Sequence, residues 1–76
     1  MTVTVKAFTG LKRYLGGNET VTVTTQDRPS VGEIIRQAGI PEDLVCIIAV
    51  GGVVVNDQYI PSDGESIELF EVIEGG

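Results

Sequence analysis

A chain that performs its own catalysis needs groups that titrate or attack near neutral pH, and this sequence has few. It contains no His, which removes the usual neutral-pH acid–base and the commonest metal ligand. Its single Cys excludes an internal disulfide and a multi-Cys zinc site. That residue, Cys46, lies within Leu44-Val45-Cys46-Ile47-Ile48, where a buried small hydrophobe is expected. A reactive thiol would need exposure and a nearby cation. Gly10 and Gly16 have no Lys-Ser/Thr after them, so they form no phosphate-binding P-loop. Asp57, Asp63 and Glu65 match no calcium-loop spacing. They read as solvated turn acids, and no metal site is expected.

The group left is at the end of the sequence, Glu71-Val72-Ile73-Glu74-Gly75-Gly76. One reading is a frayed terminus. The other is that the Gly76 carboxylate is itself the reacting group. Extended, these residues reach about 20 Å. Glycines lack a Cβ, so Gly75 and Gly76 can thread a narrow channel and let another protein's catalytic groups approach the backbone.

A terminus of that kind needs a rigid body behind it. Thr2–Phe8 alternates with period two and predicts a strand. Gly10–Gly17, with Leu11 and Leu15 one turn apart, predicts a short helical turn closed by glycine. Glu19–Thr25 alternates again, with Val21 and Val23 on one face. Ser30-Val31-Gly32-Glu33 is a capping-box start. Val31, Ile34, Ile35 and Ala38 follow as one apolar stripe, and Gly39 and Pro41 end the helix. Gly32 inside it costs ~1 kcal/mol in propensity. Val45–Val50 reads as a buried strand, Gly51-Gly52 as a hairpin turn, Val53–Val55 as the return strand and Ser66–Phe70 as the last. The order β, β, α, β, β, β predicts an α+β fold: a mixed sheet with one main helix packed on one face.

Composition agrees with one small domain. The 76 residues are 42% apolar and 21% charged, which is globular rather than disordered. A domain this small buries only about 60% of its unfolded surface, too little to wall a deep cleft. The net charge is −6, the wrong sign for a nucleic-acid binder. All five cations precede residue 40, and eight of the eleven acids follow Gly39. The acidic half is either a solvated surface or a means of steering toward a basic partner. The longest apolar stretch, Leu44–Val55, is broken by Gly51-Gly52 and is too short to span a bilayer. Thr2–Phe8 is too polar for a signal peptide. No membrane association is expected, and with one free thiol the expected location is cytoplasmic.

Read in order, these segments resemble the ubiquitin-like sulfur carriers of the ThiS/MoaD family over nearly the whole chain. Phe8-x-x-Leu11-Lys12-x-x-Leu15-Gly16, Val31-Gly32-Glu33-Ile34-Ile35, Ala49-Val50-Gly51-Gly52-Val53-Val54 and Asp63-Gly64-Glu65-x-Ile67 resemble MoaD-type segments. Leu69-Phe70-x-Val72-Ile73-x-Gly75-Gly76 is similar to ThiS-type tails. The resemblance implies a β-grasp (ubiquitin-like) domain over 1–70 with a projecting diglycine tail over 71–76. It implies a sulfur carrier, not an enzyme. An E1-like adenylating enzyme of the ThiF/MoeB type, using ATP, would activate the Gly76 carboxylate. A sulfurtransferase or cysteine desulfurase would then convert it to a thiocarboxylate, and a sulfur-accepting synthase would consume the sulfur. The head resembles MoaD and the tail ThiS, so thiamine-thiazole and molybdopterin synthesis both stay open. A modifier conjugated through Gly76 and a plain interaction domain are the alternatives. The expected docking residues are Phe8, Phe70, Val72, Ile73 and Glu74. Phe8 and Phe70 fall on the strand faces opposite the aliphatic set, and the family's fold places their strands side by side.

Overall fold

The computed structural model describes residues 1–71. Five strands, β1 (Thr2–Ala7), β2 (Thr20–Thr24), β3 (Val45–Val50), β4 (Val53–Val55) and β5 (Ser66–Glu71), form one sheet in the order β2-β1-β5-β3-β4. β1 and β5 are parallel, and every other pairing is antiparallel. Among the described residues the one α-helix, α1, runs from Val31 to Gln37, with 3-10 helices at Thr9–Leu15 and Glu42–Leu44.

The two periodicities of the sequence meet in one core. Val3, Val5 and Ala7 of β1, Ile48 and Val50 of β3, and Ile67 and Leu69 of β5 pack with Val31, Ile34 and Ile35 of α1. Leu11 and Leu15 join them from the first 3-10 helix. The mixed sheet with one main helix on one face is therefore as expected. So are the short turn closed by left-handed Gly16 and the hairpin at Gly51-Gly52, whose φ values of 59° and 81° suit a two-residue turn that non-glycine residues resist.

α1 spans seven residues, too few to persist alone. The Ser30 Oγ accepts from the Glu33 N–H at 3.4 Å. Two more of its free N–H groups are satisfied by the loop after β4: Val31 donates to the Tyr59 carbonyl at 2.8 Å and Gly32 to the Asp57 carbonyl at 2.9 Å. A Cβ at residue 32 would lie 3.3 Å from that Asp57 oxygen. The propensity cost of Gly32 is thus offset by a close approach that a side chain would crowd.

One expectation fails. Val45–Val50 is not buried along its length: Ile48, Ala49 and Val50 are, whereas Cys46 and Ile47 are exposed. Val45 pairs with Glu71 and Ile47 with Phe70, so the register slips by one residue at Cys46. The extra residue of this β-bulge has no partner position on β5, and the bulge turns the Cys46 and Ile47 side chains out of the core.

Candidate docking face

The sheet face away from α1 is uncovered by any described element, and its residues follow from the register. Ala7 pairs with Leu69, both inward. The next residue on each strand, Phe8 and Phe70, therefore points outward at the same level. Their rings stack with centroids 4.8 Å apart and planes 9° from parallel. The Phe8 N–H donates to the Leu69 carbonyl at 2.9 Å, which holds the two strand ends together beneath the rings. Phe8 is 39% exposed. The structure thus brings together the two described residues that the sequence singled out. Val72, Ile73, Glu74, Gly75 and Gly76 lie outside the described residues.

The face carries more than those two rings. Ile47 lies opposite Phe70 across β3 and is 44% exposed. Val54, paired with Ala49 one row further on, is 70% exposed. Sequence reasoning missed both. Within a continuous apolar run no alternation says which residues face out, and only the bulge at Cys46 decides it. The resulting stripe, Phe8–Phe70–Ile47 with Val54 beyond, is apolar and open.

Charge flanks the stripe unevenly. On the β1 side, Lys6, Lys12, Glu19 and Thr20 line a shallow hollow beside Phe8. On the β3 side, Cys46, Ile47 and Val54 line another, bounded by Glu42 and Asp57. At the end of β5 the Arg13 guanidinium donates to Glu71 Oε2 at 2.9 Å and lies over the Tyr14 ring, 4.7 Å from its centroid. The hydrogen bond to Glu71 is the main cause that holds the Arg13 pKa above its ordinary value. No sequence signal pairs residues so far apart.

Among the described residues, no group of three or more His, Cys, Asp or Glu could hold a metal ion, and no helix is long and apolar enough to cross a membrane. The described face lies beside the end of β5, after which Val72–Gly76 follow in sequence.

Comparison with known proteins fits that geometry. Residues 1–74 match the family model described as Mut7-C ubiquitin. No curated protein matches the chain in sequence. Among solved structures, SAMP1 from Haloferax volcanii is 20% identical over 100% of both chains, with a TM-score of 0.76. A putative molybdopterin converting factor subunit 1 from Pyrococcus furiosus is 23% identical over 96% of this chain and 99% of its own, with a TM-score of 0.74. Subunit 1 in the complex of subunits 1 and 2 of the Helicobacter pylori molybdopterin-converting factor is 26% identical over 100% of both chains, with a TM-score of 0.62. The shared fold is the ubiquitin-like β-grasp, and the expected resemblance to ThiS/MoaD-type proteins is borne out.

Proposed function

The chain belongs to the Mut7-C ubiquitin family, and on that premise we propose that it is a sulfur carrier whose reacting group is the Gly76 carboxylate. A carboxyl terminus with a pKa near 3.5 is anionic at neutral pH and a poor electrophile. An E1-like adenylating partner of the ThiF/MoeB type would join it to the α-phosphate of ATP, releasing pyrophosphate. AMP then becomes a leaving group. A sulfurtransferase or cysteine desulfurase presents a persulfide whose outer sulfur displaces AMP, so the C–O bond to AMP is exchanged for a C–S bond in an acyl disulfide. A second thiol then attacks the donor's sulfur, breaks the S–S bond, releases the thiocarboxylate and is itself left in a disulfide. The thiocarboxylate serves a synthase of thiamine-thiazole or molybdopterin formation. The carrier contributes the acyl group and the docking face, and its partners contribute the catalytic residues. The cytoplasm, where ATP is available, is the proposed site of action.

The observation that carries this reading is the stacked Phe8–Phe70 pair, open on the face away from α1 and set beside the strand end that leads into Val72–Gly76. A docking surface next to the strand end that leads, in sequence, to a diglycine terminus is what presentation of a terminus to another enzyme requires. Small archaeal modifier protein 1 has the same fold, which supports conjugation through Gly76 as the second reading.

Intact mass of the protein purified from its native host separates the readings. A carrier shows a fraction in which one oxygen is replaced by sulfur, and tandem fragmentation puts that sulfur on Gly76. A modifier shows instead high-mass conjugates that leave Gly-Gly remnants on lysines. A plain interaction domain shows neither and ends the proposal.

A further inference from the structure

We infer that Arg13, closed over Gly10, is a positioning residue that fixes the point at which the C-terminal segment leaves the sheet. The inference rests on the carrier reading above. β5 has β1 beside it only as far as Leu69, because the Phe8 N–H closes that ladder and the chain then turns into the 3-10 helix Thr9–Leu15. On its other side the β3 ladder slips at Cys46 before Glu71 meets Val45. Glu71 therefore ends a strand that has lost one neighbour and is irregularly paired with the other.

Arg13 fills the side that β1 vacates. Its Nη2 donates to Glu71 Oε2 at 2.9 Å, and its Nη1 donates to the Gly10 carbonyl. One planar fork thus ties the last described strand residue to a backbone oxygen of the 3-10 helix. Gly10 leaves the room for it: a Cβ there would fall on the guanidinium and lie 2.6 Å from Glu71 Oε1. Gly10 is not among the glycines with positive φ, so the backbone does not require glycine at this position, whereas the clamp does.

The Arg13 side chain is 52% exposed, and exposed ion pairs add little to global stability. What a rigid two-point fork supplies is direction. It holds the Glu71 carboxylate, and with it the heading of the backbone into residues that must enter a partner's active site. Fixing that heading beforehand lowers the ordering cost of docking.

The test uses the full 76-residue chain with Arg13→Gln and Gly10→Ala. The two variants differ in chemistry but open the same clamp: one removes the fork, the other keeps both charges and pushes them apart. Backbone ¹⁵N relaxation at Glu71 and Val72 is the first readout. Order falls at these residues in both variants, while the thermal midpoint shifts little. Pyrophosphate exchange driven by the adenylating enzyme of the native host is the second. KM rises about five- to tenfold with kcat held, because the variants lose preorganisation and not the reacting group. Unchanged relaxation in either variant overturns the clamp, and unchanged KM overturns its role in presentation. Failure of the carrier reading looks different: the native chain and one lacking Gly75-Gly76 are then equally inert in the exchange assay, while the relaxation data still judge the clamp.

Discussion

Phe70 is the side chain on which folding and function separate most cleanly. Its ring stacks on Phe8 outside the core, while its neighbour Leu69 is fully buried. Truncation removes a stacking contact and half of an open apolar patch, and leaves no cavity. Phe70→Ala is therefore expected to weaken binding to the activating enzyme by ~1–3 kcal/mol. It is expected to destabilise the fold by less than the ~3–5 kcal/mol of a buried Phe. Calorimetric titration and chemical denaturation of one preparation compare the two, and a stability loss in the buried range would move Phe70 into the core. Cys46, exposed at the bulge, should be alkylated in the folded state without prior unfolding, and protection until the fold is denatured would place it in the core. Cys46→Ala should still accept sulfur if the acceptor is Gly76, and loss of thiolation in a folded variant would give the thiol a role in transfer. Tyr59 is expected to contribute to the alkaline limb of stability. Its hydroxyl donates to Glu65 Oε1 at 3.0 Å, and that hydrogen bond, then burial, then the Glu65 charge raise its pKa above the ordinary tyrosine value. The fold prefers the protonated phenol. The stabilisation is thus complete below the unfolded value of about 10 and is lost as pH rises through the folded one. Tyr59→Phe should flatten the decline in denaturation midpoint above about pH 10, and an unchanged slope would remove Tyr59 as its source.

At the scale of elements, α1 shows how little of this fold is local. Seven residues with one side-chain cap survive because Val31, Ile34 and Ile35 are buried and the loop carbonyls of Asp57 and Tyr59 take its first N–H groups. Ser30→Ala should cost ~1 kcal/mol, read as a shift in denaturation midpoint without a change in its slope, and a neutral result would mean that the loop bonds alone hold the helix start. The helix was legible because cap, stripe and stop all fall within a dozen residues. β1, β2 and β5 were legible because their alternation distinguishes two faces. β3 was not, since six apolar residues in succession carry no phase, and the bulge that exposes Cys46 and Ile47 arises from pairing with β5 across the sheet. The docking face divides in the same way. Phe8 and Phe70 could be assigned to one face from alternation, with their adjacency implied by the resemblance. Ile47 and Val54 depend on the bulge and the hairpin. The Arg13–Glu71 pair depends on where β1 stops relative to β5, which is a property of the assembled sheet.

For the molecule as a whole, the described core and the proposed reacting end occupy different stretches of the sequence. The core cluster runs from Val3 to Leu69 and is filled by β1, β3, β5, α1 and the first 3-10 helix. Net charge is not spread evenly over that side of the sheet: with −6 overall, the described cations Lys6 and Lys12 still sit beside Phe8, so the β1 side of the face is locally less acidic than the chain. A carrier built this way should tolerate loss of its reacting end in every respect but one. Removing Gly75-Gly76 should leave the thermal midpoint almost unchanged, because termini outside a packed core bury little surface. The shortened chain should also bind the activating enzyme through the Phe8–Phe70 face with much of its affinity, and compete with the native chain for it. It should release no pyrophosphate from ATP and acquire no sulfur, because the carboxylate it presents at Glu74 stops short of the catalytic groups. A large fall in thermal midpoint would mean that the diglycine end is packed into the domain and is not free for presentation. Retained thiolation would move the acceptor away from Gly76. Failure to compete would show that the terminus, and not the stacked aromatic face, supplies the docking energy.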